Sequence, residues 1–259
     1  MHGNGLVIVL AGAVLGLLVG SFLNVVAHRV PAGTSVIRPA SACPACKAPI
    51  AHRDNIPILS WILLRGRCRS CGAEISVRYA IVEASTAAVF AAAAVVLGAV
   101  WVLPAYWWFA GVCIVLVLTD LDHQRIPNRI LFPGLVVGAL LLAAGAIADG
   151  NAPGLLAALG GGAAYFGLLF VIAVAARGGF GFGDVKLAAL LGLFLTYRSW
   201  ETLVAGVFAA FLVGGLVSVG LLVARRAGRK DAIPFGPALV AGAFIAVAWG
   251  DAIAEWYIG

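Results

Sequence analysis

The chain has 259 residues, of which 63% are hydrophobic and only 11% charged, with a formal net charge of +6; a typical soluble domain carries about a quarter charged residues. That leaves too little polar surface for a water-soluble enzyme, a disordered chain or a nucleic-acid-binding module, despite the basic balance. A mean hydropathy of +1.07 and 33 glycines fit a polytopic membrane protein, in which small residues let helices approach closely.

The first apolar run, 5–27, is long enough to cross a bilayer, for which about 20 apolar residues suffice. No basic stretch precedes it and no small-residue cleavage pattern follows it, so it reads as a span and not as a signal peptide. Residues 28–79 form the one long polar stretch, where most of the ordered mass outside the membrane is expected. It carries Cys43-Pro-Ala-Cys46 and Cys68-Arg-Ser-Cys71, separated by 21 residues. Paired CxxC turns at such a spacing put four thiolates within reach of one tetrahedral Zn²⁺. A redox dithiol pair or a set of idle reduced cysteines are the alternatives, and His52 between the pairs is a substitute ligand candidate. Cys113 lies in mid-span and reads as a small packing residue.

Further apolar runs at 80–98, 102–119, 130–148, 154–176, 185–197, 202–224 and 233–257 complete the pattern. They predict an all-α polytopic membrane protein of about eight transmembrane helices, with the tetracysteine region between helices 1 and 2. The sixth run is short and could be set partly below the surface. The expected division is 1–98 (helix 1, the cysteine region, helix 2) and 99–259, a bundle of helices 3–8. Every Lys and Arg except Arg198 falls on the side that holds 28–79. By the positive-inside bias that side is cytoplasmic and both termini are outside. The same basic residues suit contact with anionic lipid head groups. A reducing compartment disfavours disulfides, which strengthens the zinc reading. Trp101, Trp107 and Trp108 read as an interfacial belt on the outer side.

Two carboxylates stand out, because charges at membrane depth are costly and usually functional. Asp120 ends the third span in Thr119-Asp120-Leu121-Asp122-His123; Asp184 follows Gly178-Gly179-Phe180-Gly181-Phe182-Gly183 and precedes the sixth. Two spans lie between them, so both reach the cytoplasmic face. A facing pair in which one carboxylate stays protonated can activate water and polarise a carbonyl, the chemistry of an aspartic peptidase. The simpler alternatives are that Asp184 caps a helix after a glycine-rich loop and that Asp120 and Asp122 are solvated loop charges. Asp120 abuts the apolar run, Asp122 is further into the loop, and His123 reads as a surface residue.

These pieces, in this order, resemble the bacterial type IV prepilin peptidases (prepilin leader peptidase/N-methyltransferase), a family of GxGD intramembrane aspartyl peptidases. The match runs through Gly20-Ser21-Phe22-Leu23-Asn24, the two CxxC pairs, Asp54-Asn55-Ile56-Pro57, Arg65-Gly66-Arg67-Cys68-Arg69, Arg78-Tyr79 and Glu83. It continues through Asp120-Leu121-Asp122, Gly181-Phe182-Gly183-Asp184-Val185-Lys186 and Ile233-Pro234-Phe235-Gly236-Pro237. The resemblance implies Asp120 and Asp184 as catalytic residues, Asp122 as the second acid of the first motif, and Cys43, Cys46, Cys68 and Cys71 as the tetracysteine. It implies removal of a short basic leader from prepilins and pseudopilins, after a glycine, at the cytoplasmic face of the inner membrane, for type IV pili or type II secretion. It further implies S-adenosylmethionine as donor for methylating the new N-terminus. No glycine-rich fingerprint marks a site for that cofactor, so the sequence assigns it no residues. Pro234 and Pro237 also read as shaping the start of the last span, Ser21 and Asn24 as interhelical hydrogen bonders, and Glu83 as either interfacial or close to the methylation site.

Three other functions compete. An ion-coupled transporter favours mid-bilayer carboxylates and inverted repeats, and no internal repeat is visible. A thiol oxidoreductase favours the oxidising side. A non-catalytic assembly factor with a zinc module leaves the paired aspartates unexplained.

Overall fold

The structure, a computed structural model, describes residues 3–176, 181–225 and 233–258. Arg177, Gly178, Gly179 and Phe180, and further on Arg226, Arg229 and Lys230, lie outside the described residues. Two compact units divide the chain, Met1–Ala99 and Val100–Gly259.

In the first unit, α1 (Gly3–Arg29) packs along α3 (Arg78–Leu97). Gly16 and Gly20 make this possible. A methyl on Gly16 would meet the Ala87 backbone at 2.6 Å, and one on Gly20 would meet the Glu83 Cα at 2.8 Å. This small-xxx-small face lets the two backbones touch, which supplies the packing energy that lipid cannot. Between the helices run a 3₁₀ turn (His52–Asp54), the short α2 (Leu59–Leu63) and two cysteine loops. Arg69 clamps the turn to the second loop with a forked ion pair to Asp54, Nη2 to Oδ1 at 2.7 Å and Nε to Oδ2 at 2.9 Å. Its hydrogen bonds and charge hold the Asp54 carboxyl below the usual carboxylate range.

The second unit holds α4 (Leu103–His123), α5 (Asn128–Ala148), α6 (Ala152–Ala175), α7 (Phe182–Arg198), α8 (Trp200–Val223) and α9 (Gly236–Ile258). Asn151 caps α6 and Ser199 caps α8 locally, whereas the amides ahead of α4, of Trp101 and Val102, donate to the distant Asp149 after α5. Gln124, at φ 51°, ends α4 in the left-handed region.

Six helices are long and apolar enough to cross a membrane: α1 from Gly5, α3, α4, α5, α6 and α8. This is an all-helical, multi-pass membrane protein, as the composition requires. The short sixth run becomes α7, of 17 residues, and its position accounts for its length. Val185, Ala188, Leu190, Leu191, Phe194 and Leu195 are fully buried, so α7 is the axis of the unit, enclosed chiefly by α6, α8 and α9. Phe194 stacks on Phe109 at 4.5 Å between ring centroids, and its carbonyl accepts from the Tyr106 hydroxyl at 2.8 Å. Trp108 also differs from a pure belt residue, because its Nε1 donates to the Gly134 carbonyl at 2.9 Å and ties α4 to α5.

Candidate active site and metal centre

Helix α4 runs past the apolar run to His123, so Asp120 sits inside its last turn and not at its end. Helix α7 begins at Phe182, which puts Asp184 in its first turn. Both side chains are buried, 5% exposed for Asp120 and 8% for Asp184, whereas Asp122 is exposed. The fold brings the two buried acids to one point, and Gly236 at the start of α9 marks it. The Gly236 N–H donates to Asp120 Oδ2 at 3.2 Å. A methyl on Gly236 would lie 2.6 Å from Asp120 Oδ2 and 3.5 Å from Asp184 Oδ1. The pair therefore faces across a space that only a residue without a β-carbon leaves open.

The glycines of the second motif are close-approach residues. A methyl on Gly181 would press on Asp184 Oδ2 at 3.0 Å, and one on Gly183 would press on Ile126 Cβ at 3.1 Å. Gly183 thus lets the head of α7 lie against the Ile126-Pro127 turn that follows α4. Lys186 braces the same junction by donating to Asn128 Oδ1 at 2.7 Å, with its ammonium near the Phe132 and Phe182 rings.

In the first unit the four cysteines form a second constellation. Their sulfurs lie within 4.8 Å of one another, and the Cys43 and Cys71 sulfurs are 3.8 Å apart. Tetrahedral thiolates at a Zn–S distance of about 2.3 Å are separated by about 3.8 Å, so the set fits zinc. The two loops repeat one backbone pattern. The Cys43 amide donates to the Ala48 carbonyl and the Cys68 amide to the Ala73 carbonyl; bridges Ala42–Pro49 and Arg67–Glu74 close the loops. The residue after each second cysteine, Lys47 or Gly72, takes a positive φ. Amides of Cys46 and Ala45 aimed at the Cys43 sulfur pull that thiol down to about 6. Cys71 is pulled down by the Ala73 amide but pushed up further by hydrogen bonding to Cys46, by desolvation and by hydrogen bonding to Cys68 and Cys43, to about 11. A divalent ion is what would let all four ionise together. His52 is not in the group.

Comparison with known proteins settles the relationship. Residues 14–97 match the bacterial peptidase A24 N-terminal domain, and residues 107–219 match the type IV leader peptidase family. Three relatives named prepilin leader peptidase/N-methyltransferase show how far the match extends. That of Bacillus subtilis is 37% identical over 95% of this chain and 96% of its own length. That of Aeromonas hydrophila is 35% identical over 93% of this chain and 91% of its own, and that of Pseudomonas aeruginosa 34% over 100% and 96%. The chain belongs to the type IV leader peptidase family. No solved structure matches it.

Gly236 stands inside the matched Ile233–Pro237 motif, but the sequence alone gives it no role. Its neighbours Pro234 and Pro237 attract attention as helix-start residues, yet the contact that matters joins positions 116 residues apart. Gly236→Ala is expected to lower leader removal on the order of 10²-fold, since sub-ångström to one-ångström displacement of a reacting group costs that much. The check is the cleavage rate of the variant on a model prepilin at equal folded protein.

The first unit also contains a cavity of about 500 Å³, within the roughly 300–1,000 Å³ of ordinary ligand sites. Glu83, on the second turn of α3, lines it and is 7% exposed.

Proposed function

We propose that this protein is the aspartic endopeptidase that removes the basic leader from type IV prepilins or pseudopilins, and that it methylates the N-terminus so exposed. Family membership carries the activity; the observation that carries the mechanism is the convergence of Asp120 and Asp184 on the space kept open by Gly236. Two carboxylates sharing one proton divide the work. The charged one takes a proton from water as the water oxygen attacks the scissile carbonyl carbon. The neutral one gives its proton to the carbonyl oxygen. Collapse of the tetrahedral intermediate breaks the C–N bond, and the proton taken from water passes to the leaving amine. Burial of the pair restricts that attack to a peptide admitted to the site.

The same reading places the pair at the cytoplasmic face of the inner membrane, with the termini outside, on the bias of Lys and Arg. It assigns Cys43, Cys46, Cys68 and Cys71 to one structural Zn²⁺. Protein purified without chelator is expected to contain about one zinc per chain. Elemental analysis checks this, and a metal-free, fully folded preparation would count against the assignment.

S-adenosylmethionine, when bound, would supply an activated methyl for the new N-terminal amine, with its sulfur leaving as a neutral thioether and the amine losing one proton. The chain offers this cationic cofactor a buried carboxylate in a cavity of suitable size, so the residues present fit it. The experiment that tests the whole reading is incubation of purified protein with a model prepilin and S-adenosylmethionine, followed by mass spectrometry.

A further inference from the structure

Glu83 is a buried carboxylate without a buried cation. Among the described residues its hydrogen bond is from the Ile58 amide to Oε2, at 2.7 Å, and no Lys, Arg or His forms an ion pair with it. A buried charge is costly unless something compensates it. Part of the role is structural: Ile58 sits at φ 59° ahead of α2, and the carboxylate holds its amide there. An amide oxygen would serve that purpose at lower cost. The negative charge itself has no internal use.

The surroundings of that charge are those of a ligand site. Ser21 and Asn24 of α1, Tyr79 and Glu83 of α3, and Asn55 and Trp61 of the intervening segment line one cavity. Two of these side chains are held by contacts of their own. Asn24 Nδ2 donates to the Gly20 and Tyr79 carbonyls, and Trp61 Nε1 donates to the Ile75 carbonyl with its ring backed by Gly66. The result is an aromatic wall, several amide and hydroxyl groups, and a buried carboxylate; of the other charged residues in the lining, Asp54 and Arg69 pair with each other, and His28, Arg29 and Glu74 are the rest. A flat heteroaromatic base, a diol-bearing sugar and a compact cation are what such a lining would recognise.

We propose that this cavity is the S-adenosylmethionine site and that the Glu83 carboxylate pairs with the sulfonium charge. The proposal rests on the methyltransferase reading above and adds to it a location and an anchoring residue. It predicts discrimination by charge. S-adenosylhomocysteine has the same base, sugar and amino acid but a neutral thioether, so removing the Glu83 charge narrows the difference in affinity between the two compounds.

The test is equilibrium dialysis of both compounds with the purified, zinc-containing full chain, wild type and Glu83→Gln. Glutamine still accepts from the Ile58 amide, and retained zinc content and leader removal report that the fold survives. The expected result is that the affinity ratio of S-adenosylmethionine to S-adenosylhomocysteine falls about tenfold in Glu83→Gln, as loss of a charge-assisted contact requires. An unchanged ratio, with both compounds still bound, would overturn the proposal and leave the methyltransferase reading intact. It would include the case in which Glu83 serves the substrate amine instead. Failure of the wild type to bind either compound would overturn the methyltransferase reading itself. Hydrogen exchange on the wild type needs no variant: S-adenosylmethionine is expected to slow exchange in peptides covering 54–61 and 79–83, and protection confined to 100–259 would also overturn the proposal.

Discussion

Asp120→Asn and Asp184→Asn are each expected to reduce leader removal by about 10³-fold or more, with the protein still folded in the membrane. The substitution removes charge and proton-holding capacity at nearly constant volume, so the α4 and α7 packing around it survives. Loss should be of similar size at either position and should not deepen much in the double variant, because the two groups act as one unit. Asp122→Asn should retain most of the wild-type rate. Asp122 lies two residues from Asp120, about 200° around the helix, and is exposed where Asp120 is buried. Cleavage rates on a purified model prepilin check all three. A variant of either buried acid that still cuts at a substantial rate would remove that residue from the pair, and a ranking with Asp122→Asn as the most damaged would move the first acid to Asp122.

Replacing Cys43 and Cys46 by serine is expected to have the next largest effect, through folding. The segment between α1 and α3 has one short helix, a 3₁₀ turn and two loops. It exposes Ile37, Ile56, Ile62 and Leu63 instead of burying them. A region so poor in core would draw much of its order from a metal held by the four cysteines. The cysteine loops also form part of the cavity wall, which includes Cys43 and Cys68. The double serine variant should therefore accumulate several-fold less, lose its zinc, and lose methylation more than leader removal per folded molecule. Zinc content, abundance and the two rates measured on one preparation check this. A cleavage rate as low as that of Asp184→Asn, in protein shown to keep its fold, would place the zinc region inside the peptidase mechanism.

Much of the site is legible in the sequence because its signals are local. A CxxC turn carries its own backbone geometry, so two of them announce four ligands wherever the chain takes them. Asp120 and Asp184 are conspicuous because a carboxylate beside an apolar run is expensive, and counting crossings puts both on one face. The ranking of Asp120 above Asp122 follows from the same adjacency, and burial of the first and exposure of the second agree with it.

What the sequence hides is whatever depends on contact between distant elements. The apolar runs end where polar residues begin, but helices continue until their hydrogen bonds are capped, so α4 extends four residues past Thr119 to His123. The 17 residues of α7 look too few for a span because composition cannot tell an axial helix wrapped by neighbours from one facing lipid. Gly236 gives no sign of lying between two aspartates, since glycines are abundant here and only the fold selects this one. The cavity around Glu83 is assembled from α1, α3 and the segment between them, and no run of residues in any one of them spells a cofactor site.

The central claim is that one active site, made by Asp120 and Asp184, removes the leader without a metal in the chemical step. The most direct measurement is the mass spectrum of a model prepilin after incubation with the purified wild type, with Asp184→Asn, and with wild type plus S-adenosylmethionine. The account predicts loss of the leader with wild type alone, an intact prepilin with Asp184→Asn, and one added methyl on the shortened product only when S-adenosylmethionine is present. An intact prepilin under all three conditions, or a shortened product from Asp184→Asn, would contradict it.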